Sequence, residues 1–220
     1  MVDWLKMWDE KAATDNYFTQ TGRGNSFTMY QFLLYIQDVQ NALHLRNEDS
    51  LLDIGGGPGW VAMHLSPWVG AVSTFDYSLA MVEQAKKQTK EFWNIEIFQD
   101  NILEMKNVER KYRKVLVGSV LQYLNNIGEV KIAMQNIYNA MGYGGTAMFT
   151  HNPDASKKES HIASMPQTEE SLKMENERLW IDHHDIFDIT MDIGFREFKV
   201  VPINPLIWQS THMFDFVVTR

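Results

Sequence analysis

The amino-acid sequence predicts an α/β chain organised around an open, mostly parallel sheet, and three observations carry that expectation. From Leu51 to Thr150, short apolar runs of strand length alternate with helical patterns. The first of these strands, with Leu51, Leu52 and Ile54, runs straight into a glycine turn, Gly55 to Gly59, and then a helix beginning near Trp60. An acidic residue stands at the carboxyl end of each of three successive strands: Asp53, Asp76 and Asp100.

Composition bounds the function. At 220 residues the chain is sized for a single domain, and 45% hydrophobic and 12% aromatic content mark it as globular. With 20 basic against 28 acidic residues the net charge is -8, which argues against a non-specific nucleic-acid coat. The absence of cysteine removes disulfides, thiolate metal sites and thiol nucleophiles. No run approaches the roughly 18 apolar residues of a spanning helix, and the start Met1-Val2-Asp3 lacks a signal pattern, so no membrane role and a cytoplasmic location are expected.

Taken in order, Asp3 to Ala13 carries Trp4, Leu5, Met7 and Trp8 between charges, a short amphipathic helix. A loop with Tyr17, Phe18 and Arg23 follows. Asn25 or Ser26 is placed to cap a helix whose apolar positions run from Phe27 through Tyr30, Leu33 and Val39 to Leu43. These two helices form a lid before the first strand. After the glycine turn come a helix over Trp60 to Leu65, a strand over Val69 to Phe75, and a helix from Leu79 to Lys90 capped by Ser78. Strands follow at Ile95 to Gln99 and Lys114 to Gly118. Asn125 or Asn126 caps a helix with Val130, Met134, Ile137 and Met141 on its core stripe. Gly142 to Gly145 turns the chain into a fifth strand, Thr146 to Thr150. Asp154 to Glu177 is polar without a strong period and reads as an insertion. Ile186, Phe187, Ile189 and Ile193 mark a last helix, and Arg196 to Val201 and His212 to Thr219 close the chain as strands six and seven.

The glycine turn exists to let a ligand come close. Glycines 55, 57 and 59 remove side chains and permit positive φ, and the N-H groups opening the next helix face whatever sits there. A dinucleotide fingerprint would need its third glycine at Trp60 for a start at Gly55, or at Val61 or His64 for later starts, and none is glycine. Asp53 beside the turn suits a cation better than a pyrophosphate. Asp76 lies about 20 residues beyond the turn, the spacing at which a carboxylate accepts from a ribose diol.

The pattern Asp53-x-Gly55-x-Gly57-x-Gly59 resembles the first motif of the class I S-adenosylmethionine-dependent methyltransferases. The resemblance runs from about Leu51 to Arg220. It implies a Rossmann-like sheet of seven strands with an antiparallel last strand, helices on both faces and an N-terminal helical lid. It also implies S-adenosylmethionine as cofactor. Asp53, Gly55 and Gly57 would form the floor, with Tyr17 and Arg23 reaching over it and Arg23 pairing the ligand carboxylate. Asp76 and Tyr77 would serve the ribose, with Met81 on the following helix. Asp100, Asn101 and Ile102 would hold adenine, and Ser119 and Tyr123 the methionine portion. The chain then divides into a lid (1–46), a cofactor core (47–152), a substrate-side insertion (153–180) and a C-terminal helix with strands (181–220).

The layout looks like that of small enzymes that methylate sugars and other metabolites. It lacks the Asn-Pro-Pro-Tyr type of signature, since Gly118-Ser119-Val120-Leu121 stands there. Methyl transfer to a hydroxyl needs a base, and His151, at the end of strand five, and His183 are the candidates. Asp182-His183-His184-Asp185 is no metal site on this reading, because adjacent residues seldom converge on one ion. The expected partner is a small-molecule acceptor, oxygen before nitrogen and a sugar among the choices. Two alternatives stay open: a binding module that has lost turnover, and an NAD-dependent oxidoreductase. The lid aromatics suit a homodimer contact as well as a substrate.

Overall fold

Strand β1 (Ser50–Ile54) sits near the middle of a seven-stranded sheet, and the other strands are placed from it. It pairs in parallel with β2 (Ala71–Asp76) on one side and β4 (Tyr112–Gly118) on the other. Strand β3 (Ile95–Gln99) extends the sheet past β2, and β5 (Met141–Pro153) past β4. At the far edge β7 (Met213–Thr219) runs antiparallel between β5 and β6 (Glu197–Val201). The order is β3-β2-β1-β4-β5-β7-β6, with β7 alone reversed. This is a computed structural model, and it describes residues 2–14, 16–21, 27–109 and 111–220, without the side chains of Tyr17 and Phe18.

Alternation along the strands explains why both faces are covered. Leu52 and Ile54 of β1, Val115 and Val117 of β4, and Ala147 and Phe149 of β5 point into one apolar layer. That layer is completed by α6 (Ile127–Ala140) and α9 (His183–Ile193), through Val130, Met134, Ile137 and Ile186. Leu51, Leu116 and Met148 point the other way, against α3 (Met29–Leu43) and α4 (Trp60–Leu65). Helix α5 (Leu79–Gln88) buries Met81, Val82 and Ala85. The chain leaves β1 toward β2 and later returns to β1's other side as β4, so the strand order reverses beside β1. Ligands bind outside the carboxyl ends of strands at such a reversal.

The N-terminal segment is α1 (Trp4–Ala12), capped by Asp3, then α2 (Tyr17–Gln20) and α3. The cap of α3 differs from expectation. Thr28 accepts from Gln31 N-H while the Gln31 side chain returns to Thr28 N-H, a capping box worth roughly 1 kcal/mol, and Phe27 is buried just before the helix. Asn25 and Ser26 lie outside the described residues, as does Arg23.

The segment after β5 holds more structure than its composition suggested. Helices α7 (Lys158–Ser164) and α8 (Glu169–Glu177) fold back so that both ends of the insertion meet. Ile181 N-H donates to Pro153 O at 2.9 Å and Ala155 N-H to Ile181 O at 3.0 Å. Strand β5 is also longer than expected, since residues 141–145 join it ahead of a bulge against β4. Among the described residues no helix is long and apolar enough to cross a membrane.

Candidate functional site

Five strand ends converge on a cavity of about 480 Å³, within the usual ~300–1,000 Å³ range for small-molecule sites. Its floor is the turn after β1. Gly55 and Gly56 N-H both donate to Phe75 O of β2, at 2.9 and 3.1 Å, which fixes the turn against the neighbouring strand. Two glycines there are required for different reasons. A Cβ on Gly56 would lie 1.9 Å from Thr74 Oγ1 and 2.9 Å from Asp53 Oδ2, so the turn can pack this close to β2 only without a side chain. Gly57 adopts φ +53° and a Cβ there would meet nothing within 4 Å, because that position opens into the cavity.

The carboxylates sit around this floor. Asp53 is buried and accepts from Thr74 Oγ1 at 3.2 Å. Asp76 accepts from Gly57 N-H and Ser78 N-H, each at 2.9 Å, so one side chain ties the first turn to the second. Burial pushes its carboxyl up to about 6, against the lowering effect of the backbone N-H groups of Ser78, Gly57 and Tyr77, while Asp9 adds to the rise. The carboxyl is thus sunk in the floor, although the residue as a whole keeps some exposure on the cavity side. Asp100 accepts from Asn101, Lys106 and Asn107 N-H at 2.8 to 3.2 Å, so it shapes the loop after β3 as well as lining the cavity. Asn101 and Ile102 line it beside Asp100, and Tyr77 lines it while half-exposed.

The opposite end is built by β4 and β5. Ser119 and His151 both adopt left-handed backbone conformations, φ 60° and 55°, and their side chains meet at 3.5 Å (Oγ to Nδ1). Such conformations cost about 1–2 kcal/mol per non-glycine residue, so the surroundings must enforce them. For His151 they do: its N-H donates to Asp215 Oδ1 at 2.6 Å where β5 shifts register against β7, and its ring stacks on Tyr35 at 5.0 Å. Tyr35 is held in turn against Thr150 Oγ1 at 3.2 Å.

Helix α1 closes the top. Trp4 and Trp8 face the cavity and contact Tyr123 at 5.0 and 5.5 Å between ring centroids, so these lid aromatics are turned inward. Asp9 accepts from Ser78 Oγ at 2.6 Å, and Val2 N-H donates to Glu177 on α8, so the lid is attached both to the second turn and to the insertion.

The cavity thus brings together Asp53, Gly55, Gly57, Asp76, Tyr77, Asp100, Asn101, Ile102, Ser119, Tyr123 and His151. Two expected residues stand elsewhere. Met81 is wholly buried under α5 and does not border the cavity, because the Ser78 cap on its N-H fixes the first turn with that face inward. His183 opens α9, 3.6 Å from Asp154 Oδ2 and packed on Phe214, also off the cavity. Tyr17's side chain and Arg23 lie outside the described residues. Sequence reasoning left the lid aromatics open between a dimer contact and the substrate, and it missed Gly56 and a far wall of Glu175, Arg178, Trp208 and Gln209. A signal existed for two of these: Trp4 and Trp8 share a face at i, i+4, and Gly56 sits inside the glycine run.

Residues 51–145 match the family model described as Methyltransferase domain. No curated protein matches the chain in sequence. Among solved structures the fold is similar to N-methyltransferase NodS from Bradyrhizobium japonicum WM9 in complex with S-adenosyl-L-homocysteine, with TM-score 0.69, 15% identity, and 98% of this chain and 97% of that one covered. It is similar to a chain of the complex between the Haloferax volcanii Trm112 methyltransferase activator and its methyltransferase partner, with TM-score 0.72, 13% identity, and 100% and 98% covered. A third is magnesium protoporphyrin IX methyltransferase from Synechocystis PCC 6803 with bound S-adenosylhomocysteine, with TM-score 0.65, 15% identity, and 94% and 89% covered.

Proposed function

We propose that the chain is a class I S-adenosylmethionine-dependent methyltransferase that methylates a hydroxyl oxygen of a small molecule, with His151 taking the proton, a reading supported by the methyltransferase family match over residues 51–145. The observation that carries the proposal is the placement of His151 on the cavity wall, in a backbone conformation enforced by Asp215 and 3.5 Å from Ser119.

The residues fit the cofactor. The position of a missing Cβ at Gly57 is open, and Asp76 lies beneath it with its carboxylate anchored by backbone N-H groups of Gly57, Ser78 and Tyr77, its remaining lone pairs being those offered to a diol. Asp53 offers negative charge to an ammonium group, Asn101 and Ile102 flank a flat ring, and Ser119 is small where the methionine portion would lie. When bound, S-adenosylmethionine supplies a methyl group already activated on a sulfonium. The protein then has to align, desolvate and deprotonate. Held by Asp53, Asp76, Asn101 and Ile102, the cofactor would supply the methyl group to an acceptor hydroxyl, whose proton the His151 imidazole would take. Trp4, Trp8 and Tyr123 exclude water above this point.

The coarse division into lid, cofactor core, insertion and C-terminal segment is part of the same proposal, and so is work in the cytoplasm, which the absence of cysteine suits. The test is calorimetric titration with S-adenosylhomocysteine, followed by turnover against hydroxylated and amino acceptors. Binding, with turnover of a hydroxylated acceptor lost in His151→Asn, is the expected result. Turnover confined to amines and unaffected by His151→Asn would overturn the oxygen assignment. Absence of cofactor binding would revive the oxidoreductase alternative.

A further inference from the structure

Strands β4 and β5 part after the pair Gly118 and Thr150, and the next residue of each strand, Ser119 and His151, leaves that pairing beside the other. Two bonds fix Ser119 there: its N-H donates to Thr150 O at 3.0 Å, and its O accepts from Gln122 Nε2 at 3.0 Å. His151 is fixed by Asp215 on its N-H and by the Tyr35 ring on its face. Both residues take the left-handed backbone conformation, so the neighbouring strands, and not the local preference of either residue, set where the two side chains go.

The two side chains differ in access. His151 is 1% exposed, and its Nε2 is buried. An acceptor in the cavity therefore has no path to that nitrogen. The other nitrogen, Nδ1, faces Ser119 Oγ at 3.5 Å, and Ser119 is half-buried on the cavity wall. The route from cavity to imidazole thus runs through the serine hydroxyl. A hydroxyl can serve as such a link because it donates and accepts at once. The 3.5 Å contact is long for a hydrogen bond, and contacts of this kind tighten when the reacting partner is in place. The tautomer follows from the same geometry: Nδ1 takes a proton only if the neutral ring carries its own on the buried Nε2. Once the ring is charged, the Tyr35 face at 5.0 Å lies within the range at which an aromatic face attracts a cation.

We propose that Ser119 is a catalytic residue, the relay that carries the acceptor's hydroxyl proton to His151. The inference rests on the methyltransferase reading and adds to it the atom that meets the acceptor. The acceptor's O-H proton moves to Ser119 Oγ while Ser119's own proton moves to His151 Nδ1. The serine hydroxyl is restored, the imidazole becomes an imidazolium, and the acceptor oxygen keeps the O-H bonding pair for the incoming methyl group.

The test uses the full chain, whose binding of S-adenosylhomocysteine is measured first by calorimetry. Long-range ¹H–¹⁵N spectra of the imidazole rings are then recorded on the loaded protein at about pH 8, above the ordinary imidazole range, and the His151 signals are assigned from their loss in His151→Asn. Nδ1 should carry no proton and Nε2 should carry one. Ser119→Ala should move the Nδ1 resonance toward that of an unbonded ring nitrogen and leave Nε2 in place; Ser119→Gly, which suits the left-handed backbone, repeats the measurement should the alanine variant be unstable. A proton on Nδ1, or an Nδ1 resonance indifferent to both variants, overturns the relay with no acceptor needed. With a hydroxylated acceptor, Ser119→Ala and His151→Asn should each lower kcat about 10²–10⁴-fold, and the double variant should be no slower than the slower single one, because both residues act on one proton. Losses that multiply in the double variant, or a Ser119→Ala enzyme close to wild type beside an inactive His151→Asn, overturn the relay alone. Turnover indifferent to His151→Asn overturns the base assignment and the relay with it, and failure of S-adenosylhomocysteine to bind overturns the methyltransferase reading itself.

Discussion

Lowering the pH from 7 to 5 should weaken S-adenosylhomocysteine binding about tenfold through protonation of Asp76. The ribose hydroxyls need the ionised carboxylate, because its oxygens already accept from backbone N-H groups of Gly57, Ser78 and Tyr77 and only the remaining lone pairs are left for a diol. With the carboxyl titrating at about 6, roughly nine-tenths is ionised at pH 7 and one-tenth at pH 5, so the apparent Kd rises about tenfold. The cofactor product's own carboxyl and amino groups titrate outside this window. Calorimetry at both pH values measures the change, and titration near pH 6 in buffers of different ionisation enthalpy should show proton release on binding. Asp76→Asn should flatten the pH dependence and lose about tenfold in affinity at pH 7. A wild-type Kd equal within twofold at pH 5 and 7, in protein shown by circular dichroism to be folded at both, would refute the role given to Asp76.

Two adjacent glycines should fail differently. Gly56→Ala pushes a methyl into Thr74 and Asp53 and should cost about 1–3 kcal/mol, lowering Tm by several degrees. Gly57→Ala should cost only about 1 kcal/mol of backbone strain but place its methyl where the ligand sits, so the larger loss appears in the calorimetric titration. His151→Asn retains a residue type that tolerates the left-handed backbone, and it should lower kcat about 10²–10⁴-fold with cofactor affinity intact. His212 is held down to about 3, by burial first and then by His161 and Arg178. The unfolded chain therefore takes up a proton below about pH 6.5 that the folded chain refuses, and stability falls as pH drops through that window. Between pH 6.5 and 5 this is worth at most about 2 kcal/mol. Asp76 acts in the opposite sense, so the measurement is the difference in Tm slope between wild type and His212→Phe. Equal slopes would show that His212 is not held neutral.

The parts of the molecule set by local chemistry were legible in the sequence. Strands β1 to β4 announce themselves as apolar runs, and Asp53, Asp76 and Asp100 are found by their place at strand ends. Long-range packing was not legible. Met81 and His183 carry suitable chemistry at suitable spacing, yet each is turned away by the first turn of its own helix, at Ser78 and Asp182. The α3 cap fell to Thr28, whose box with Gln31 follows Phe27 because that ring is drawn into the core. The far wall was hidden most completely. Glu175 and Gln209 are separated by tens of residues without any period, and only the fold brings them to one wall.

The insertion closes on itself at its root, where the main-chain bonds between Pro153, Ala155 and Ile181 hold its two ends side by side. It works as a socket. The insertion also reaches the lid through Glu177 and the segment after β4 through Leu179, so a replacement between its ends would have to keep those two contacts. If the cavity holds the cofactor and the insertion meets the acceptor, as proposed, the two tasks fall to parts of the chain with different ties: the floor to five strand ends at once, the insertion to its paired root and its contacts with Val2 and Gln122.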